Sequence, residues 1–204
     1  MGVPLRSGGP GPAVERGPLA TGESNAELVA RARTGDGAAC DLLVRRHLRA
    51  AYAVALAVVR DPAEAEDVAQ DAFALAFERL DSCREPERFA GWLLQIVRNQ
   101  ALTSVDRMRL RGPTVDPASA PEVGVSGHAE NAPLRAQLLS ALSGLGAVQR
   151  EVVLLHDLEG WTHPEIADAL GFSELMSRQH LFQARRTLRS LLADAAPKED
   201  SRGS

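Results

Sequence analysis

Three stretches of this 204-residue chain carry the side chains that could do chemistry. Residues 173–192 hold Arg178, Arg185, Arg186 and Arg189 against Glu174 alone, a net +3. An arginine fork bonds guanine bidentately, and glutamine, here Gln179, suits adenine. Arg186 and Arg189 are better spaced for phosphates, which position a protein without reading sequence. Residues 84–111 hold six arginines against three carboxylates, again +3. Residues 61–81 hold seven carboxylates against Arg79, a net −6. Together they suggest two surfaces for a phosphate backbone and one for a basic protein.

None of this is catalytic chemistry. The five histidines (His47, His128, His156, His163 and His180) show no metal-ligand spacing. Cys40 and Cys83 have no nearby partner, so they read as ordinary small side chains in a reducing cytosol. No dinucleotide, phosphate-loop or nucleophile-elbow motif is present. A non-enzymatic protein with no cofactor and no metal is expected.

The net charge of −4 hides these local blocks. The chain is 45% hydrophobic, and its longest apolar run, 50–59, is far short of the roughly 20 residues that span a membrane. The Gly- and Pro-rich start has no apolar core and does not read as a secretory signal. A cytoplasmic protein is expected. Of the 23 basic residues only Lys198 is lysine, a skew that carries no functional weight.

The elements that must position these side chains read as helices throughout. Residues 1–23 bury too little to fold. Ser24 and Glu27 form a capping box ahead of Leu28 and Val29. Gly35 and Gly37 break that helix, and a longer one follows over about 38–60. Asp61-Pro62 restarts the chain, Asp as cap and Pro in the first helical position. In that third helix Val68, Ala72, Leu75 and Ala76 make an apolar face. Glu64, Asp67 and Asp71, with Gln70, fall opposite. After a loop at 81–85, Pro86 opens a helix to about Leu110 that buries Phe89, Leu93, Ile96, Val97 and Leu102.

Residues 112–132 have the composition of a linker. They divide a domain over 24–111 from one over 133–193, with a tail over 194–204. The expected fold is all-α: two small helical domains joined by a flexible linker. The second domain reads as four helices: 133–142, 147–158, one capped by Thr162 with Pro164 and Glu165, and one over 174–192. Gly160 and Gly171 end the second and third of these. A short helix, a turn at Gly171 and a longer Arg-rich helix make a helix-turn-helix. Ile166, Ala167, Leu170, Leu175, Leu181 and Leu188 are expected to pack it, leaving Arg178, Gln179 and Arg185 on the open face. Phe182 fits either a core position or contact with a thymine methyl.

AEAEDVAQDAF, followed by FERL and FAGWLLQIVRNQAL, resembles the second conserved region of the extracytoplasmic-function sigma factors, in the sigma-70 family of bacterial RNA polymerase. LSGLGAVQREVVLLHDLEGWTHPEIADALGFSELMSRQHLFQARRTLR resembles their fourth region. The resemblance covers about 23–192. It implies a dissociable initiation subunit that binds core RNA polymerase, at the clamp coiled coil of the largest subunit and at the flap, and recognises promoter DNA. By resemblance Glu64, Asp67, Gln70 and Asp71 meet the clamp. The loop 81–87, with Ser82 and Arg84, matches the segment that captures a flipped base of the minus-10 element. Arg88, Phe89, Trp92, Arg98, Asn99, Arg107 and Arg109 match positions at or near that DNA. Phe89 and Trp92 suit either base stacking or the helical core. Arg98 and Asn99 suit either DNA contact or a structural pair. Asp106 interrupts the basic run usual at this point.

The helix holding Arg178, Gln179, Phe182, Arg185, Arg186 and Arg189 would take the minus-35 element as duplex. An anti-sigma factor, able to hold the protein at the membrane, is implied by resemblance alone. Two other readings compete. A stand-alone helix-turn-helix repressor or activator predicts duplex binding without polymerase. A helical adaptor predicts no salt-dependent DNA binding.

Overall fold

The computed structural model describes residues 22–111 and 132–195. All of the expected linker but residue 132, and most of both expected tails, lie outside the described residues. Helix α1 spans Asn25–Arg33 and opens on the expected capping box: Ser24 Oγ accepts from Glu27 N, and the Glu27 carboxylate accepts from Ser24 N at 2.7 Å. Helix α2 spans Gly37–Val59 and is capped by Asp36. Helix α3 spans Pro62–Glu78, with Asp61 as cap and Pro62 in its first turn. Helix α4 spans Phe89–Arg111. It starts three residues later than the sequence suggested, because Pro86–Arg88 turn as a 3₁₀ segment; a second such turn forms at Leu80–Ser82.

These four helices bury Leu28, Val29, Leu43, Val54, Phe89, Leu93 and Val97 completely. Each large side chain so buried contributes about 1.5–3 kcal/mol. Two features are corrected here. On α3 Phe73 is buried with Val68, Ala72 and Ala76, whereas Leu75, expected on that face, is only half-buried. Leu102 is 51% exposed; Ala101 and Ser104, four and seven residues after the buried Val97, take the inward row instead. His47 is also buried, against the Phe89 ring at 5.4 Å, and burial followed by the neighbouring Arg46 charge lowers its pKa to about 4.

The second domain holds α5 (Ala132–Ser143), α6 (Ala147–Val153), α7 (His163–Leu170) and α8 (Glu174–Ala195). A π-helical turn, Leu154–Leu158, extends α6. Gly160, at φ 74°, then releases the chain. Thr162 caps α7 in a reciprocal box with Glu165, and Gly171 ends it at φ 76°. Only a residue tolerant of the left-handed region turns the chain there cheaply. Among the described residues every regular element is helical, as expected.

The two domains are not apart. The α6 residues Arg150 and Glu151 both reach the first domain from buried positions. Arg150 Nε donates to Ala57 O at 2.6 Å, while its Nη1 donates to Leu145 O at 2.5 Å and to Leu142 O and Ser143 O at 3.3 Å. The guanidinium thus ties the loop after α5 to α2, and burial lowers its pKa. Helix α7 lies on α4 where Gly91 leaves room: a Cβ there would sit 3.2 Å from Ala169 Cα.

Candidate nucleic-acid interface

On α3, Asp67, Gln70 and Asp71 are exposed, and none has an ion-pair partner among the described residues. Glu64 departs from that open face. It is half-buried, and its carboxylate accepts a hydrogen bond from Ser104 Oγ on α4.

The loop after α3 is held from α1. Arg33 Nη2 donates to Cys83 O at 2.5 Å and to Leu80 O at 3.2 Å. Ser82 and Arg84 project outward. With Trp92, Asp168 and Gly171 they line a cleft of about 360 Å³ between the loop and the helix-turn-helix. Phe89 lies in the core and is unavailable to stack on a base: it is fully buried, its ring packed between His47 and Trp92. Trp92 is half-buried, one side on Phe89 at 5.8 Å and one on the cleft.

Arg98 and Asn99 do not pair with each other. Asn99 is exposed and accepts from Gln95 at 3.3 Å. Arg98 donates bidentately to Glu151, Nε to Oε1 at 3.1 Å and Nη2 to Oε2 at 2.6 Å. Glu151 is fully buried, and burial raises its pKa against the opposing Arg98 charge. Arg88 likewise bonds Asp168 of α7, Nε to Oδ2 at 3.2 Å, and Asp168 first among its partners raises its pKa. Two of the expected DNA-binding arginines are therefore occupied by carboxylates of the other domain. Arg49 Nε, 3.0 Å from Glu159, adds a third bridge across the boundary. Arg107 and Arg109 are exposed on the last turns of α4, with Asp106 3.8 Å from Arg109.

The expected helix-turn-helix forms. Ile166 and Ala167 of α7 and Leu181 of α8 are buried in it; Leu170 and Leu188 are half-buried. Leu175 is not part of that packing, being 74% exposed. The buried row of α8 is Ser177, Leu181 and Ala184, and Leu175 lies roughly half a turn away from it. Phe182 is 68% exposed, which excludes its core reading. Arg178 pairs with Glu174. Arg185 Nε donates to Asp157 Oδ2 at 3.0 Å. Burial would raise the Asp157 pKa, but the Arg185 and His156 hydrogen bonds outweigh it and hold it low. Gln179, Arg186 and Arg189 are exposed. His163 Nδ1 lies 2.9 Å from the buried Ser177 Oγ and its ring 4.7 Å from that of His156, tying α7 to α8.

Sequence reasoning missed Arg33, Arg150, Glu151 and Asp168. The signal for two of them was legible: Arg150-Glu151 sits just before the apolar run VVLL, where a charged pair needs a buried partner.

Two helical domains, one with an exposed acidic helix and one with a capped helix-turn-helix carrying an arginine-rich helix, define a DNA-binding transcription protein. The Sigma-70 region 2 model matches residues 43–111, and the Sigma-70 region 4 model residues 135–188. The RNA polymerase sigma-H factor of Pseudomonas aeruginosa is 30% identical over 87% of this chain and 100% of its own length. The ECF RNA polymerase sigma factor SigM of Mycobacterium tuberculosis is 32% identical over 83% of this chain and 85% of its own. The probable RNA polymerase sigma factor RfaY of Xanthomonas campestris pv. campestris is 37% identical over 69% of this chain, a match that spans 37% of that relative. The solved structure of CnrH, in complex with the cytosolic domain of CnrY, is 28% identical over 84% of this chain and 99% of that one, at a TM-score of 0.63. The chain belongs to the sigma-70 family of RNA polymerase sigma factors, in its extracytoplasmic-function group, whose members direct RNA polymerase to promoters. Sigma factors bind core RNA polymerase and promoter DNA; the stand-alone regulator is not favoured. No helix among the described residues is long and apolar enough to cross a membrane.

Proposed function

We propose that this chain docks on core RNA polymerase through Asp67, Gln70 and Asp71 of α3, reads minus-35 duplex with α8, and opens minus-10 DNA with the first domain. The observation that carries this reading is the charge arrangement. Exposed, unpaired carboxylates on α3 suit a basic protein surface and repel DNA. Exposed arginines on α8, at the open face of a helix-turn-helix, suit a major groove. The domain limits are those read from the sequence: 24–111 and 133–193 around a tether at 112–132.

Ser82, Arg84, Trp92, Asn99, Arg107 and Arg109 form the minus-10 surface, with Trp92 the remaining aromatic platform at the cleft. Arg88 and Arg98 join it only when the domains part, because Asp168 and Glu151 hold them in the closed arrangement. Glu64 serves α3 by fixing it to α4. Strand opening draws on binding energy and needs no covalent step, since a captured base offsets an unstacking cost of a few kcal/mol. The protein acts in the cytoplasm. CnrH was solved in complex with the cytosolic domain of CnrY, and that likeness supports regulation of this chain by a second protein that covers these surfaces.

The test is in-vitro transcription with bacterial core polymerase on a pool of promoter fragments. Specific starts with the wild-type chain, lost when Asp67 and Asp71 are both changed to Arg, are expected. No starts from any fragment, together with tight duplex binding by the chain alone, would overturn the reading.

A further inference from the structure

We infer that Leu175 and Phe182 read the C5-methyl groups of two thymines about three base pairs apart in the upstream promoter element. The inference rests on the reading of α8 as the minus-35 helix and names what that helix selects. Leu175 and Phe182 are 74% and 68% exposed, so neither serves the packing of its own domain. Seven residues apart, they stand on one side of α8, about 20° from alignment, and about 10.5 Å apart along its axis. With base pairs about 3.4 Å apart, that separation is roughly three base steps.

Chemistry chooses the occupant. No carboxylate occurs on α8 from residue 175 to residue 193, and Arg178, Gln179 and Arg186 surround the two apolar side chains on the exposed face. That frame attracts a polyanion. In a major groove the thymine methyl is the apolar group a leucine or phenylalanine can cover; cytosine, adenine and guanine present polar edges there. Covering it takes both surfaces out of water, which stabilises thymine over any other base at that position. Leu175 lies in the first turn of α8, the end that a helix-turn-helix inserts deepest.

The experiment uses the full chain with bacterial core polymerase on templates randomised through the upstream element, followed by sequencing of the templates that initiate. The wild type should select A·T pairs at two positions about three base pairs apart. Leu175→Ala should flatten the preference at one position and Phe182→Ala at the other. Replacing either selected thymine by uracil should weaken wild-type initiation about four-fold, the worth of one buried methyl group. The matching alanine variant should not register that change. A selected motif that neither variant alters, or a loss of initiation equal on all templates, would overturn the inference and leave the assignment of α8 intact. Initiation with no upstream preference in the wild type would overturn both.

Discussion

Arg98 of α4 and Glu151 of α6 form a bidentate ion pair across the domain boundary, 53 positions apart in the chain. The two ends are unequally buried: the Glu151 side chain is 1% exposed and that of Arg98 24%. This asymmetry decides what each truncation costs. Arg98→Ala strands an ionised carboxylate in the interior, which costs about 3–5 kcal/mol. Glu151→Ala strands a guanidinium that can still reach water, so its cost falls toward the roughly 1.5–3 kcal/mol of a lost charged hydrogen bond. The double variant should be more stable than Arg98→Ala alone. Burial already raises the Glu151 pKa, so the Arg98→Ala deficit should shrink as pH falls and the stranded carboxyl takes up a proton. Urea unfolding of the four proteins at two pH values checks both statements. Equal costs for the two single variants would contradict the burial argument.

Gly91 gives a way to loosen the contact between the domains without touching any charge. A Cβ at Gly91 meets backbone, Ala169 Cα at 3.2 Å and Asp168 O at 3.5 Å, so α7 must move. Within α4 itself alanine is better than glycine by roughly 0.5–1 kcal/mol. Gly91→Ala is therefore expected to firm α4 while loosening its contact with α7. Hydrogen exchange should show faster exchange in α7 and unchanged or slower exchange in α4. The pairing of Arg88 with Asp168 lies at the same contact, so minus-10 binding should strengthen in this variant.

His47 sets a pH dependence of the first domain. Burial and the Arg46 charge lower its pKa from 6.5 to about 4, so the folded chain holds it neutral while the unfolded chain protonates it earlier. The stabilisation is complete above pH 6.5 and lost as pH falls toward 4, worth about 3 kcal/mol across that window. Its Nε2 lies 3.2 Å from Asn25 Oδ1, tying α2 to the start of α1. His47→Gln keeps a polar tip but cannot titrate. Urea midpoints at pH 7 and pH 4.5 should differ less for the variant than for the wild type, and an equal pH response would refute the assignment.

The sequence shows local devices far better than it shows long-range ones. Ser24, Asp61 and Thr162 cap where they were expected to, because a cap is decided within four residues. The acidic face of α3 and the arginine face of α8 follow from helical periodicity. The closed packing of the two domains does not. It depends on Arg98 meeting Glu151 and on Arg150 reaching Ala57 O, and neither partner is fixed by spacing. Phe89 illustrates the same limit: an aromatic at the start of α4 fits a base platform or a core, and only the His47 ring beside it decides for the core. Leu175 shows it too: an apolar residue at a helix start suits packing, but its place roughly half a turn from the buried row of Ser177, Leu181 and Ala184 turns it outward.

Gly171 separates the fold of the second domain from its aim. Its φ of 76° carries the chain from α7 into α8, and a Cβ there would meet nothing within 4 Å. Gly171→Ala is therefore opposed by backbone conformation and not by a clash, at about 1–2 kcal/mol. The buried Ile166, Leu181 and Ala184 still hold α7 to α8, so the domain should fold, with a lower unfolding midpoint. Relaxing the turn rotates the start of α8, where Leu175, Arg178 and Gln179 stand. Selective transcription from promoters carrying the upstream element should then fall more steeply than the loss of folded protein explains, while polymerase binding, proposed to run through Asp67 and Asp71, stays intact. Measuring thermal stability, polymerase affinity and transcription on one preparation checks this. A transcription deficit matched by the folded fraction would show that the turn serves stability alone.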